Sequence, residues 1–184
     1  LSNDRIIMGI DPGTNLMGYG LIRVVNKKPE ILVSGVLDLK KITDPYIKLQ
    51  KIFQRTLQVI DEYKPDELAI ESQFFGKNVQ SMLKLGRAQG VAIAAALQRN
   101  IPIFEYAPKK IKLAITGTGT ASKEQLAVIL QRYFKMKEFP QNPDESDAIA
   151  IAMCHFFQSN NPIAKGKSSS WSDFVKKNPG RVKS

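Results

Sequence analysis

Asp11, Glu71, Asp144 and Asp147 are the residues of this chain best placed to do chemistry. Asp11 closes the apolar run Ile6-Ile7-Met8-Gly9-Ile10 and is followed by Pro12-Gly13-Thr14, so its carboxylate is expected at a strand tip before a turn. Glu71 closes Leu68-Ala69-Ile70 in the same way. Pro143 suits the first position of a helix capped by Asn142, with Glu145 three residues after the cap as in a capping box. Asp144 and Asp147, three apart, then share one face of that helix and can reach a common point. Four oxygen ligands without His or Cys favour Mg²⁺ or Mn²⁺ over Zn²⁺. The chemistry such a cluster serves is metal-assisted cleavage of phosphodiester bonds.

Each acid also has a plainer reading. Asp144 and Asp147 would sit well at the positive end of a helix dipole whatever their role. Asp11 is a good turn former, and Glu71 an ordinary strand end. The combination argues for function, because converging carboxylates repel one another unless a cation joins them.

The elements that must hold these acids can be read from periodicity. Residues 5–11, 16–25 and 31–39 are apolar stretches separated by turns, which predicts a three-stranded antiparallel meander. Apolar residues from Tyr46 to Tyr63 recur at helical spacing until Lys64-Pro65-Asp66 stops them, and residues 66–71 form a fourth strand. After a loop at 72–77 a long helix is expected from about Asn78 to Gln98, then a fifth strand at 101–106. A short helix follows Pro108, a further helix runs from the cap candidate Ser122 to about Phe134, and a last one from Pro143 to about Phe157. The expected fold class is α/β, a five-stranded mixed sheet flanked by helices, with residues 1–158 as one domain and 159–184 as a basic, mobile tail. Gly86 and Gly90, set among alanines, would let a second helix approach closely, either within the chain or across a dimer.

The net charge of +10 is unevenly spread. Residues 1–76 balance, 77–137 carry 11 basic against 2 acidic side chains, and the stretch with the two late aspartates is acidic. A basic block beside an acidic cluster suits a protein that grips a phosphate backbone while metal acts on one bond. A single cysteine, Cys154, excludes an internal disulfide and fits a reducing cytoplasm, and no secretory signal is seen at the start. Cys154 and the lone histidine, His155, fall in the apolar run Ile149 to Phe157, where packing is the expected role. The longest strongly apolar stretch, Val91 to Leu97, is too short to span a bilayer.

Six segments in order carry a resemblance: Gly9-Ile10-Asp11-Pro12-Gly13; Ala69-Ile70-Glu71 with Phe74-Phe75-Gly76-Lys77-Asn78; Lys84 to Gly90; Tyr106-Ala107-Pro108 through Lys112; Thr116-Gly117 through Lys123; and Asp144 to Ala148. From Ile6 to about Phe157 the chain resembles the RuvC family, bacterial Holliday-junction resolvases of the ribonuclease-H-like nuclease superfamily. The resemblance implies a Mg²⁺-dependent endonuclease, with Mn²⁺ as a substitute, that nicks two strands of like polarity symmetrically at a four-way DNA junction in recombination and repair. It makes Asp11, Glu71, Asp144 and Asp147 the catalytic and metal-binding acids, and Lys112 and Lys123 supporting basic residues for DNA binding. It makes Phe74 an aromatic that works on opened bases, and the Gly86–Gly90 helix a homodimer interface. RuvA and RuvB are the implied partners, and no membrane is involved. Two ions per active site, about 4 Å apart, would be bridged by Asp11, with Glu71 on one and Asp144 and Asp147 on the other. A rival reading takes Asp11-Pro12-Gly13-Thr14 as the phosphate loop of an ATPase of the actin and Hsp70 superfamily, but that fold needs two such domains. The other rival is a basic junction-binding module whose carboxylates are only structural.

Overall fold

The computed structural model describes residues 4–72, 78–140 and 142–160. In chain order the elements are β1 (Arg5–Asp11), β2 (Leu16–Val25), β3 (Lys28–Asp38), α1 (Pro45–Tyr63), β4 (Glu67–Glu71), α2 (Val79–Leu97), β5 (Ile103–Tyr106), α3 (Pro108–Thr116), α4 (Lys123–Tyr133) and α5 (Pro143–Ser159). The strands form one sheet in the order β3-β2-β1-β4-β5, with β1, β2 and β3 antiparallel and β4 and β5 parallel to β1. This is the expected mixed five-stranded α/β plan. Among the described residues no helix is long and apolar enough to cross a membrane.

The second hairpin, between β2 and β3, turns more tightly than expected. Asn26 and Lys27 both take positive φ, 51° and 64°, the two-residue turn whose twist matches the flanking strands. The third strand therefore starts at Lys28 rather than Ile31, taking in Pro29 opposite Val24. A proline inside a strand is tolerated there because β3 is an edge. At the other edge, β5 begins at Ile103 rather than Ile101, and α5 continues two residues past the expected end.

Alternation along the central strands sends side chains to two cores, as period-two geometry requires. Met8, Ile10, Leu68 and Ile70 face α1 and α2, meeting Ile52, Val59 and Ile60 of the first and Ala88, Ala92 and Ala96 of the second. Ile7, Ile22 and Ala69 face α3, α4 and α5, meeting Ile111, Leu126 and a long buried run of α5. Cys154 and His155 are buried in that run, as expected. His155 also bonds at 2.6 Å with the Tyr106 hydroxyl and at 3.1 Å with Glu67, whose carboxyl this bond holds below its usual range.

The seat of α5 on the sheet is set by glycine. A Cβ on Gly18 of β2 would stand 1.9 Å from the carbonyl oxygen of Asp144, and one on Gly9 of β1 would stand 2.1 Å from that of Ala148. No side chain fits either gap, so the α5 backbone rests directly on the strands, its first turn over the strand end that carries Asp11.

Candidate active site

Ile10 and Ile70 are partners in the parallel pair β1·β4, so Asp11 and Glu71, one residue further along each strand, end side by side. The first turn of α5 comes over this edge. Asn142 caps it by accepting from the Asp144 N–H at 3.0 Å, and Pro143 starts it, as expected. The expected capping box is not what Glu145 makes: its carboxylate instead accepts from the Ser34 hydroxyl of β3 at 2.7 Å. The reciprocal box closes on α4, between Ser122 and Gln125.

Asp11, Glu71 and Asp147 line one cleft of about 210 Å³ with Lys112 of α3 and Lys123 of α4, against an apolar wall that includes Ile111 and Leu126. The Lys123 ammonium donates to the Asp147 carboxylate. Asp144 lies outside the cleft's lining, but its charge acts on Asp11. The structure thus gathers three of the four expected acids and both expected lysines in one cleft, with the fourth acid outside its lining. Phe74 lies outside the described residues.

The electrostatics are those of crowded like charges. Burial, then the charges of Glu71, Asp147 and Asp144, push the Asp11 carboxyl up from 3.8 to about 8, with Lys123 pulling weakly the other way. Burial and Asp147 raise Glu71 as well, opposed by Lys123 and Lys112. Burial alone would loosen the proton of Lys123, yet its hydrogen bond to Asp147 and the surrounding carboxylates hold it more tightly than usual. As the side chains lie, no three acidic, histidine or cysteine groups among the described residues are arranged to enclose a metal ion. The donor chemistry nevertheless fits a hard divalent cation: oxygen ligands only, in a half-buried cleft where they repel one another and where one lysine supplies part of the missing positive charge.

Two supports of this cleft were not foreseen from the sequence. Gln89, a buried amide on α2, donates to the main-chain carbonyl of Glu71 at 3.2 Å and to the Glu105 carboxylate of β5 at 2.9 Å. It ties the Glu71 end of β4 to α2, and its only trace in the sequence is a polar residue on that helix's alanine side. Lys48 of α1 donates to the Thr14 carbonyl at 2.9 Å and the Asn15 side chain at 3.0 Å, pinning the loop that follows Asp11.

The sequence pattern that defines the family Crossover junction endodeoxyribonuclease RuvC matches residues 7–155. Crossover junction endodeoxyribonuclease RuvC of Bacteroides fragilis is 57% identical over 182 residues, covering 98% of this chain and 97% of that one. Its counterpart in Porphyromonas gingivalis is 56% identical over 185 residues, covering 98% of each. The structure of Thermus thermophilus RuvC in complex with a Holliday junction substrate superposes with a TM-score of 0.80 at 30% identity, covering 88% of this chain and 96% of that one. The chain belongs to the RuvC family.

Proposed function

We propose that this protein is a metal-dependent DNA endonuclease that resolves four-way junctions by paired, symmetric nicks. The observation that carries the reading is the convergence of Asp11, Glu71 and Asp147 with Lys112 and Lys123 in one cleft, in a chain of this family. Asp11, Glu71, Asp144 and Asp147 would hold two Mg²⁺ ions, with Mn²⁺ able to substitute. Bound there, the cations would lower the pKa of an attacking water and stabilise charge on the leaving 3′-oxygen. The chain's own contribution is to place the acids on rigid elements and to hold the phosphate beside them. Asp11 and Glu71 are fixed at strand ends and Asp144 and Asp147 by the seating of α5, while Lys112 and Lys123, which line the same cleft, would hold the backbone of the scissile strand. Lys123, paired with Asp147 at the mouth of the cleft, is placed to bind that phosphate.

Paired cuts need two sites related by a two-fold axis, and α2 supports a homodimer. Gly86 and Gly90 are exposed, and among the described residues no atom outside their own stretch of α2 lies within 4 Å of where a Cβ would be, so no described element packs on them. Val79, Leu83 and Leu97 of the same helix are large apolar residues left exposed. Phe74, three residues after Glu71, would stack on bases opened at the crossover. RuvA and RuvB are the proposed partner proteins, and the reducing cytoplasm the proposed compartment.

One assay tests the reading. A synthetic four-way junction should be nicked symmetrically in Mg²⁺ and left intact in chelator, and Asp11→Asn should abolish nicking while affinity stays within a few-fold. Binding without metal-dependent nicking would refute the enzyme and leave a junction-binding module.

A further inference from the structure

On the face of the sheet away from α3, α4 and α5, a groove of about 410 Å³ lies between α1 and α2. Leu49, Ile52 and Leu85 give it an apolar component, and Lys48, Lys84 and Arg87 bring three positive charges to a lining that contains no acid. The nearest carboxylate in sequence, Asp44, is engaged in capping α1 by accepting from the N–H groups of Tyr46 and Ile47. Lys48 is half-buried and held by two neutral oxygens, so its charge has no counter-ion there. Lys84 and Arg87 have no hydrogen-bond or ion-pair partner among the described residues. Tyr46 stands at the same groove with 73% of its surface exposed, beside the hydroxyls of Thr14, Thr43 and Ser81. Three uncompensated cations with hydroxyl donors and an exposed ring suit a phosphate and its sugar better than any neutral ligand.

The position of the groove identifies the polyanion. Thr14 and Asn15, on its wall, follow Asp11 by three and four residues in the loop at the tip of β1. Lys112 and Lys123 approach the acids from the α3–α4 face of the sheet, whereas Lys48, Lys84 and Arg87 lie on the α1–α2 face. A nucleic-acid backbone leaving the cleft over the β1 tip therefore meets a second basic surface on the far side. We propose that this groove is a second phosphodiester-backbone site, which holds an arm of the DNA substrate on the opposite side of the strand tips from the scissile phosphate. The inference rests on the junction-nuclease reading and extends it to a surface outside the catalytic cleft.

The test is a Lys84→Gln, Arg87→Gln double variant, with Lys48 left intact because it also pins the catalytic loop. Affinity for a synthetic four-way junction is measured by anisotropy across a salt series in Ca²⁺. Two lost phosphate contacts should lower the slope of log affinity against log salt by about two units. Nicking turnover at saturating junction in Mg²⁺ should stay within about twofold of the parent, and light scattering should show the same oligomeric state. Lys84→Glu should weaken binding further than Lys84→Gln. An unchanged slope, in a parent that binds and nicks junctions, overturns the groove alone. A variant whose oligomeric state changes with its affinity shows that the groove meets a second copy of the chain, which also overturns it. A parent that fails to bind the junction overturns both the groove and the nuclease reading.

Discussion

Neutralising Asp11 should make the metal-free protein more stable, although it should also end catalysis. The cause is the crowding that raises the Asp11 carboxyl from 3.8 to about 8. The unfolded chain releases this proton near 3.8 while the folded chain keeps it until about 8, so between those values the folded state binds more protons and stability falls as pH rises. Below the window the group contributes nothing, and above it the penalty is complete. At about 1.4 kcal/mol per pKa unit the full penalty has an upper bound of about 6 kcal/mol. Water and side-chain relaxation reduce it to about 2–4 kcal/mol, because effective dielectrics at such sites are well above those of dry protein. For a chain of this length that corresponds to about 5–10 °C in melting temperature. The assay is thermal unfolding of Asp11→Asn against the parent in chelator at pH 4 and pH 8. The variant should melt higher at pH 8, the two should nearly coincide at pH 4, and added Mg²⁺ at pH 8 should narrow the gap by raising the parent. A variant that melts no higher than the parent at pH 8 would refute the argument. An equal gain at both pH values would assign the effect to packing rather than charge.

Three further outcomes follow from the geometry. Gly18→Ala should destabilise by about 1–3 kcal/mol through overpacking and lower nicking at least about tenfold by displacing the first turn of α5, with junction affinity largely kept; parent-like nicking would remove Gly18 from the argument. Gln89→Leu leaves the Glu71 carbonyl and the Glu105 carboxylate without their shared donor, so turnover should fall about tenfold while KM holds, and a change confined to melting temperature would make Gln89 merely structural. Gly90→Leu meets no described element within 4 Å of its Cβ, so it should leave melting of the isolated fold intact while shifting light scattering toward monomer; unchanged scattering would move the interface elsewhere.

The acids were legible because each announces a local event. Apolar runs that stop at Asp11 and Glu71 are strand ends, and Asn142-Pro143 is a helix start whatever the rest of the chain does. Lys112 and Lys123 could be singled out only by resemblance, since a lysine on a helix says nothing of the cleft it faces until α3 and α4 are packed. Glu145 was misjudged because its partner, Ser34, is remote in sequence and competes with a local cap that the pattern favours. Gly18 was equally opaque: within an apolar strand it looks like a weakness, and its purpose depends on a helix at the other end of the chain. The start of β3 was hidden by Pro29, whose tolerance depends on the strand being an edge, a property of the finished sheet. Gly86 and Gly90 left two readings open, because what packs on a small-residue face is decided by partners far away in sequence; among the described residues no other element lies within 4 Å of a Cβ built on either.

The acids come from the first and fourth strands and from the last described helix, whose backbone rests against β1 at Gly9 and β2 at Gly18. A ribosome-bound chain that has not yet released residues 143–159 thus possesses Asp11 and Glu71 but lacks Asp144, Asp147 and the helix that covers one core. Without α5 the sheet has lost both its late aspartates and the helix that covers one face, so this cleft cannot form before the chain has been made through residue 159.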